Sequence, residues 1–319
     1  MGGRGRTAYW SGEGERVKVL VTGATGFVGR WLMQDLRKAG HQVIAAPSSA
    51  ELDIGDLAGV RTLVHETAPD VIAHLAAVIS GRQGGHDSSR ALRTNVGGTV
   101  AITEAARTAD PRPGLLIVSS AAVYAVPLRN DPPLDERAAI GPRNEYGLMK
   151  LAQESVAIAG AVRDDIPMVV VRPFNHVGPD QPSTAVVGSF VDRILAIRRG
   201  ESEQLAAGNI DVERDFGDVR DYAVAYRLIM EELVAGRLGR PPAVFNLATG
   251  RAVSLRWIIS ELSRLASVNP EIVVDPNLLR ADDAPRFIGD AALLRRTIGW
   301  QPRIELADTL AEMLAGHLA

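Results

Sequence analysis

Tyr146 and Lys150 stand four residues apart in I-G-P-R-N-E-Y-G-L-M-K, residues 140–150. That spacing puts a phenol and an ammonium on one face of a helix. A free tyrosine titrates at about pH 10, and a nearby cation favours the phenolate and lowers that value. Such a pair could exchange a proton with a substrate oxygen. Y-x-x-x-K is also common by chance, and two solvated helix residues would fit the same spacing. What favours chemistry is the strand L-L-I-V-S-S-A-A-V-Y, which ends at Ser119 and Ser120. In open α/β folds the carboxyl ends of the strands are where ligands bind.

A second chemical signal lies near the start of the chain. V-K-V-L-V-T-G-A-T-G-F-V-G-R-W sets Gly23, Gly26 and Gly29 between an apolar run and an amphipathic helix whose core face begins Phe27, Val28, Trp31, Leu32. Glycines let the backbone approach a pyrophosphate, and the first N–H groups of the helix face that anion. Dinucleotide sites of this kind usually carry an acid at the end of the second strand, which takes the ribose 2′-hydroxyl. Here V-I-A-A runs into Pro47, Ser48 and Ser49, and the acid is missing. Small hydroxyl residues with Arg30 nearby suit a 2′-phosphate, which favours NADP(H) and leaves NAD(H) possible. Asp53 and Ile54 are placed to flank the adenine, although a helix cap explains the aspartate equally well.

Elements of two kinds must hold these groups. The apolar runs V-K-V-L-V-T, H-Q-V-I-A-A, D-V-I-A-H-L-A-A, L-L-I-V-S-S and M-V-V-V-R-P alternate with stretches of helical period, one of them Leu57 to Thr67. Continuous apolar strands separated by helices predict an α/β fold with a parallel sheet covered on both faces, doubly wound in the Rossmann manner. Beyond about Pro173 the pattern is broken by Gly, Pro and Asp, and a smaller α/β lobe is expected there, with V-F-N-L-A returning to the main sheet.

Composition closes off other classes. The 319 residues are 46% hydrophobic and 23% charged with a formal net charge of −3, and arginines are scattered among acids, so no nucleic-acid partner is expected. The chain has no cysteine, which excludes disulfides, thiol nucleophiles and cysteine-held metals; no metal site is expected. No apolar run reaches the roughly 20 residues of a bilayer span, and no secretory signal is evident in residues 1–16. The expectation is a cytoplasmic protein with no membrane contact.

T-G-A-T-G-F-V-G, H-L-A-A, T-N-V-G-G-T, S-S-A-A-V-Y, Y-G-L-M-K and R-P-F-N, in this order, resemble the extended short-chain dehydrogenases/reductases, the NAD-dependent epimerase/dehydratase family, over nearly the whole chain from Val17. The resemblance implies a disordered leader (1–16), an NAD(P)-binding Rossmann domain (17–173, with a strand and helix returning near 219–250) and a mainly nucleotide-sugar-binding lobe (174–319). It implies Tyr146 as the residue that exchanges the proton. Lys150 tunes that tyrosine and binds the nicotinamide ribose, and Ser120, four residues before Tyr124, hydrogen-bonds the reacting oxygen. Ser119 is then structural. For the cofactor it implies Gly23, Thr25, Gly26, Phe27, Val28, Arg30, Ser48, Asp53, Ile54, Leu75, Ala76, Ala77, Asn95 and Pro173, with a structural or relay role favoured for Asn95.

Within the family, dehydratases carry carboxyl groups where this chain has Ala121 and Ala122, so elimination of water is not expected. R-P-F-N-H-V-G-P-D-Q, residues 172–181, resembles the segment found in GDP-4-keto-6-deoxymannose reductases. The resemblance implies reduction of the C4 ketone of an NDP-4-keto-6-deoxyhexose, linked to GDP or dTDP. The substrate contacts implied are Ser120, Ala121, Asn175 and His176, with Gln181 near the pocket. Arg214 and Arg280 would hold the diphosphate through their planar forks, or else pair with adjacent aspartates. A nucleotide-sugar 4-epimerase with tightly bound NAD is the alternative, a non-catalytic dinucleotide sensor the remote one. Relatives commonly form homodimers through helices that include the one carrying Tyr146.

Overall fold

The computed structural model describes residues 16–78, 87–279 and 283–316. The expected leader, apart from Arg16, and Arg280 lie outside them. In chain order the strands are β1 (Lys18–Thr22), β2 (Gln42–Ala45), β3 (Val71–His74), β4 (Gly114–Val118), β5 (Met168–Pro173), β6 (Asn175–Val177), β7 (Gln204–Ala207), β8 (Glu213–Arg214), β9 (Phe216–Asp218), β10 (Ala243–Leu247), β11 (Val253–Ser254), β12 (Glu271–Val274) and β13 (Arg286–Phe287). The helices are α1 (Phe27–Lys38), α2 (Leu57–Thr67), α3 (Ser88–Ala91), α4 (Gly98–Thr108), α5 (Glu145–Asp164), α6 (Val186–Arg198), α7 (Val219–Val234), α8 (Leu255–Ala266), α9 (Ala292–Ile298) and α10 (Leu306–Ala315).

Every residue of β3, β4 and β5 is buried, because helices cover both faces of the sheet they form. The strands run in the order β10-β5-β4-β3-β1-β2, and all neighbours are parallel. One core packs α1 and α7 on one face, with Leu32, Leu36, Tyr222, Tyr226 and Trp300 fully enclosed. The other packs α2, α4 and α5 around Leu20, Ile72, Ile102 and Ile117. As expected, V-F-N-L returns as β10, in register with β5 from Ala243 opposite Val169 to Leu247 opposite Pro173.

From β1 the chain goes to β2 on one side and then to β3 on the other, so the order reverses between β1 and β3. A crevice opens at such a point, outside the carboxyl ends of the strands. A third core, built from α6, α8, α10 and the β7–β12 pair, encloses Phe190, Ile194, Leu205, Ile258 and Leu310. Two short ladders, β6–β9 and β11–β8–β13, lie between the later strands.

Candidate active site

The glycine turn occupies the crevice between β1 and β3. Gly23 has φ +69°, and a Cβ on it would lie 2.8 Å from the backbone N of Ala76. A Cβ on Gly29 would lie 2.1 Å from the Gly23 carbonyl oxygen, so the third glycine lets α1 pack on the turn. The helix starts at an N-cap, Gly26, without any side-chain cap, which leaves its first N–H groups facing the crevice. Thr25 and Gly26 are exposed, Phe27 and Val28 half-buried, and Leu75, Ala76 and Ala77 line the opposite wall half-buried. Pro173 closes β5 and is buried. These features fit a dinucleotide pyrophosphate, since side chains at Gly23 and Gly29 would force apart the backbone that forms the turn.

Behind the turn runs a chain of buried hydrogen bonds that the sequence reading did not find. Thr22 Oγ1 accepts from the Ala76 N–H (3.2 Å) and meets His74 Nδ1 (2.8 Å). His74 Nε2 meets Thr99 Oγ1 (3.1 Å), and the Thr99 hydroxyl donates to the Asn95 carbonyl (2.7 Å). With both threonine hydroxyls donating onward, His74 carries its proton on Nε2. Burial pushes its pKa down to about 3, so it is neutral. Asn95 sits in a π turn, Leu92–Gly97, between α3 and α4. It is fully buried, and its amide bonds the Val78 backbone at both ends, 2.7 and 2.9 Å. Asn95 thus braces the segment that follows β3.

At the other end of the crevice the groups read as a 2′-phosphate site are differently engaged. Ser48 directs its N–H (2.9 Å) and its hydroxyl (2.8 Å) onto one carboxylate oxygen of Glu51, whose pKa those bonds lower. An exposed carboxylate, Glu51, thus occupies the Ser48 donors. Arg30 is exposed and donates to the Asp180 carbonyl at 3.4 Å. Asp53 closes a turn by accepting from Gly55 N–H at 2.9 Å, while Asp56 caps α2. Ile54 packs against Gly98.

The Tyr146, Lys150 and Ser120 side chains come together where α5 meets the end of β4. Asn144 caps α5, accepting from the Gly147 N–H at 2.8 Å. Gly147 is needed because a Cβ there would lie 2.4 Å from the Ala122 carbonyl oxygen. The Tyr146 phenol lies beside the Ser120 hydroxyl, and Lys150 Nζ is 5.9 Å from the Tyr146 ring centroid. Lys150 donates to the Val118 carbonyl (2.7 Å) and to Gln153 (2.9 Å). Burial pulls its pKa down to about 7, opposed by the carboxylate of Glu154. Tyr146 is raised above its usual value by burial, with the neighbouring Ser120 hydroxyl pulling the other way. That reverses the expected direction. The ammonium is committed to Val118 and Gln153, and desolvation governs the phenol, which stays protonated at neutral pH.

Ser120 also caps the short 3-10 turn Ala121–Val123, accepting from the Ala122 N–H at 3.1 Å. Ala121, the next residue expected at the substrate, is buried in the core on the α1 side. Asn175 is exposed and donates to the Asp215 carbonyl at 2.8 Å. His176 meets Tyr226 through Nε2 at 3.2 Å and packs edge-on to Tyr222 at 4.8 Å between centroids. Burial lowers its pKa to about 4, and it is neutral. Gln181 donates to the His176 carbonyl at 2.7 Å. Arg214 bonds the Ala284 carbonyl (2.7 Å) and pairs with Asp283, an aspartate distant in sequence. Tyr222 and Tyr226, both enclosed beside His176, were missed because α7 reads as an ordinary amphipathic helix. Among the described residues no cluster of metal-binding side chains occurs, and no helix is long and apolar enough to cross a membrane.

Comparison with known proteins agrees with this geometry. Residues 19–248 match the NAD dependent epimerase/dehydratase family. The GDP-6-deoxy-D-mannose reductase of Pseudomonas aeruginosa is 32% identical over 299 residues, 93% of this chain and 96% of that protein. The UDP-glucose 4-epimerase of Mycolicibacterium smegmatis is 30% identical over 316 residues, 93% of this chain and 97% of that one. A solved structure of RMD from Pseudomonas aeruginosa complexed with NADPH superposes with a TM-score of 0.82 at 31% identity, covering 95% of this chain and 98% of that one.

Proposed function

From the premise that this chain belongs to the NAD dependent epimerase/dehydratase family, as an NAD(P)-dependent, sugar-nucleotide-modifying enzyme of the extended short-chain dehydrogenase/reductase type, we propose that it reduces the C4 ketone of an NDP-4-keto-6-deoxyhexose. The observation that carries the reading is the Ser120–Tyr146–Lys150 cluster set beside a turn of Ala121 and Ala122 with no carboxyl side chain. It can move a proton on and off a carbinol oxygen, but it offers no acid and base to expel water. The nicotinamide supplies the hydride. Tyr146, protonated at neutral pH, gives its proton to the oxygen, and Ser120 orients that oxygen by a hydrogen bond. Lys150, with its pKa pulled down to about 7, places a positive charge close to the developing phenolate when protonated and would turn to the nicotinamide ribose. Asn175 and His176 would contact the sugar, and Arg214, with Arg280 from outside the described residues, would hold the diphosphate. Similarity to the GDP-6-deoxy-D-mannose reductase favours a GDP-linked substrate.

The test supplies NADPH or NADH with GDP- and dTDP-linked 4-keto-6-deoxyhexoses made in situ, follows nicotinamide absorbance, and identifies the product by NMR. Similarity to a UDP-glucose 4-epimerase supports the second reading. Purified protein that carries bound NAD, interconverts UDP-hexoses and consumes no nicotinamide would replace the first reading by the second.

Cofactor choice turns on Glu51. NADP(H), the form favoured by Ser48 and Arg30, requires the carboxylate to yield the Ser48 donors to the 2′-phosphate, whereas NAD(H) leaves it in place to accept from the ribose. Glu51→Gln is expected to improve NADPH binding about fivefold relative to NADH, the scale of one exposed charge contact, in a fluorescence titration of both dinucleotides. An unchanged ratio would remove Glu51 from the choice.

A homodimer is part of the same reading. Val100 on α4 is 42% exposed, and Leu148 and Val162 on α5 are 54% and 64% exposed, an apolar face on the two helices that pack together beneath the site. A second copy related by a two-fold axis would cover it. Val162→Arg should give a monomer in light scattering where the parent gives a dimer; a parent that is itself monomeric would refute the interface.

A further inference from the structure

Three consecutive residues at the end of β4 meet three residues one turn apart on α5. The Val118 carbonyl accepts from Lys150 at 2.7 Å, the Ser119 hydroxyl donates to Glu154, and Ser120 lies beside Tyr146. Residues 146, 150 and 154 share one helix face, so the strand end and the helix are matched residue for residue. Glu154 is 2% exposed and does not act alone. Arg172 of β5, 7% exposed, grips both its oxygens, Nε to Oε1 at 2.9 Å and Nη2 to Oε2 at 2.7 Å. The same guanidinium donates to the Tyr124 hydroxyl at 3.1 Å, which donates to Asn246 of β10 at 2.7 Å. Glu154 is thus fixed from the helix, from two neighbouring strands and, through Tyr124, from the sheet edge.

Stability does not explain this arrangement. A buried ion pair loses so much solvation that well-packed apolar residues of similar volume often replace it at no cost. What it does supply is direction: a two-pronged Arg–carboxylate contact tolerates little sliding or rotation. A slip of α5 along β4 would break it and would misplace Tyr146 and Lys150 together.

We propose that Ser119, Glu154 and Arg172 form a positioning clamp that holds α5 in register with the end of β4 and thereby sets the Tyr146–Ser120 geometry used in the reaction. The proposal rests on the reading of Tyr146 and Ser120 as the proton-transfer pair. The three are positioning residues: none faces the crevice. Glu154 also opposes the fall of the Lys150 pKa, which accords with its place one turn from the ammonium. The sequence reading set Ser119 aside as structural, and the clamp makes its hydroxyl part of the catalytic geometry.

The test compares Ser119→Ala with the double variant Glu154→Leu/Arg172→Met, which removes the pair without orphaning either charge. Both are expected to bind NADPH or NADH within about twofold of the parent and to keep KM. Both should lose kcat, about tenfold for Ser119→Ala and more for the double variant, since misplacement of a reacting group by about 1 Å can cost 10²-fold. The melting temperature of the double variant should be unchanged or higher. A kcat within twofold of the parent in both variants would overturn the clamp, and if the double variant fails to fold, Ser119→Ala decides alone. If the parent reduces none of the ketosugars, the functional reading has failed and crystallography still decides the clamp. The Tyr146 Oη to Ser120 Oγ separation should change by at least about 0.5 Å in Ser119→Ala, and an unchanged separation would overturn it.

Discussion

Tyr146→Phe is expected to lower kcat by about 10²- to 10⁴-fold, the range contributed by a positioned acid or base, with dinucleotide affinity changed by no more than about twofold. The phenylalanine keeps the ring and removes only the hydroxyl that gives up the proton. Because burial raises the phenol pKa, the tyrosine is in its proton-donating form throughout the neutral range, which is the form a ketone reduction needs. Below and around neutrality the wild-type rate should therefore not be limited by loss of this proton. Single-turnover absorbance measurements with saturating ketosugar and reduced cofactor would isolate the step. A variant retaining more than about a third of the parent rate would end the assignment of Tyr146, and with it the proton-transfer role of Ser120.

Gly29→Ala should be nearly as damaging by a different route. The added Cβ would stand 2.1 Å from the Gly23 carbonyl oxygen, a backbone atom that cannot turn aside as a side-chain tip could. Relief requires α1 to move away from the turn, which separates the helix N-terminus from the anion it faces and disturbs the packing of Leu32, Met33 and Leu36. Overpacking of this kind costs about 3 kcal/mol, a fall of roughly 5–10 °C in Tm for a chain of this size. Calorimetry should show that fall, and titration with NADH or NADPH should show at least about a 100-fold weaker Kd, since the pyrophosphate depends on close backbone approach. Wild-type cofactor affinity in a variant of wild-type stability would mean that the third glycine is not what admits the dinucleotide.

The contrast between these two positions shows what kinds of information the chain carries openly. Gly23, Gly26 and Gly29 announce their purpose because only a residue without a side chain serves there and because strand and helix patterns flank them. Tyr146 and Lys150 needed the serine-ended strand to become more than a common spacing. Glu51 was invisible for the opposite reason. The acid expected from the strand pattern stands at the strand end, whereas Glu51 lies three residues beyond Ser48 and reaches back to it through a turn. His74 lay in a quoted motif, yet its role appears only when Thr22, Thr99 and Asn95, up to 77 positions apart, are seen on one hydrogen-bond chain.

The sequence by itself determined the alternation of strands and helices, the glycine cradle, and the tyrosine, lysine and serine proposed to do chemistry, since periodicity and residue type act over a few positions. Only the tertiary structure decided how those groups are held and charged. It joined Ser119, Glu154 and Arg172 into one buried contact, committed Ser48 to Glu51 and Arg214 to Asp283, and raised Tyr146 while lowering Lys150. Burial and hydrogen-bond partners come from residues brought together across the sheet, and desolvation, which governs both pKa values, exists only once the chain has closed around them.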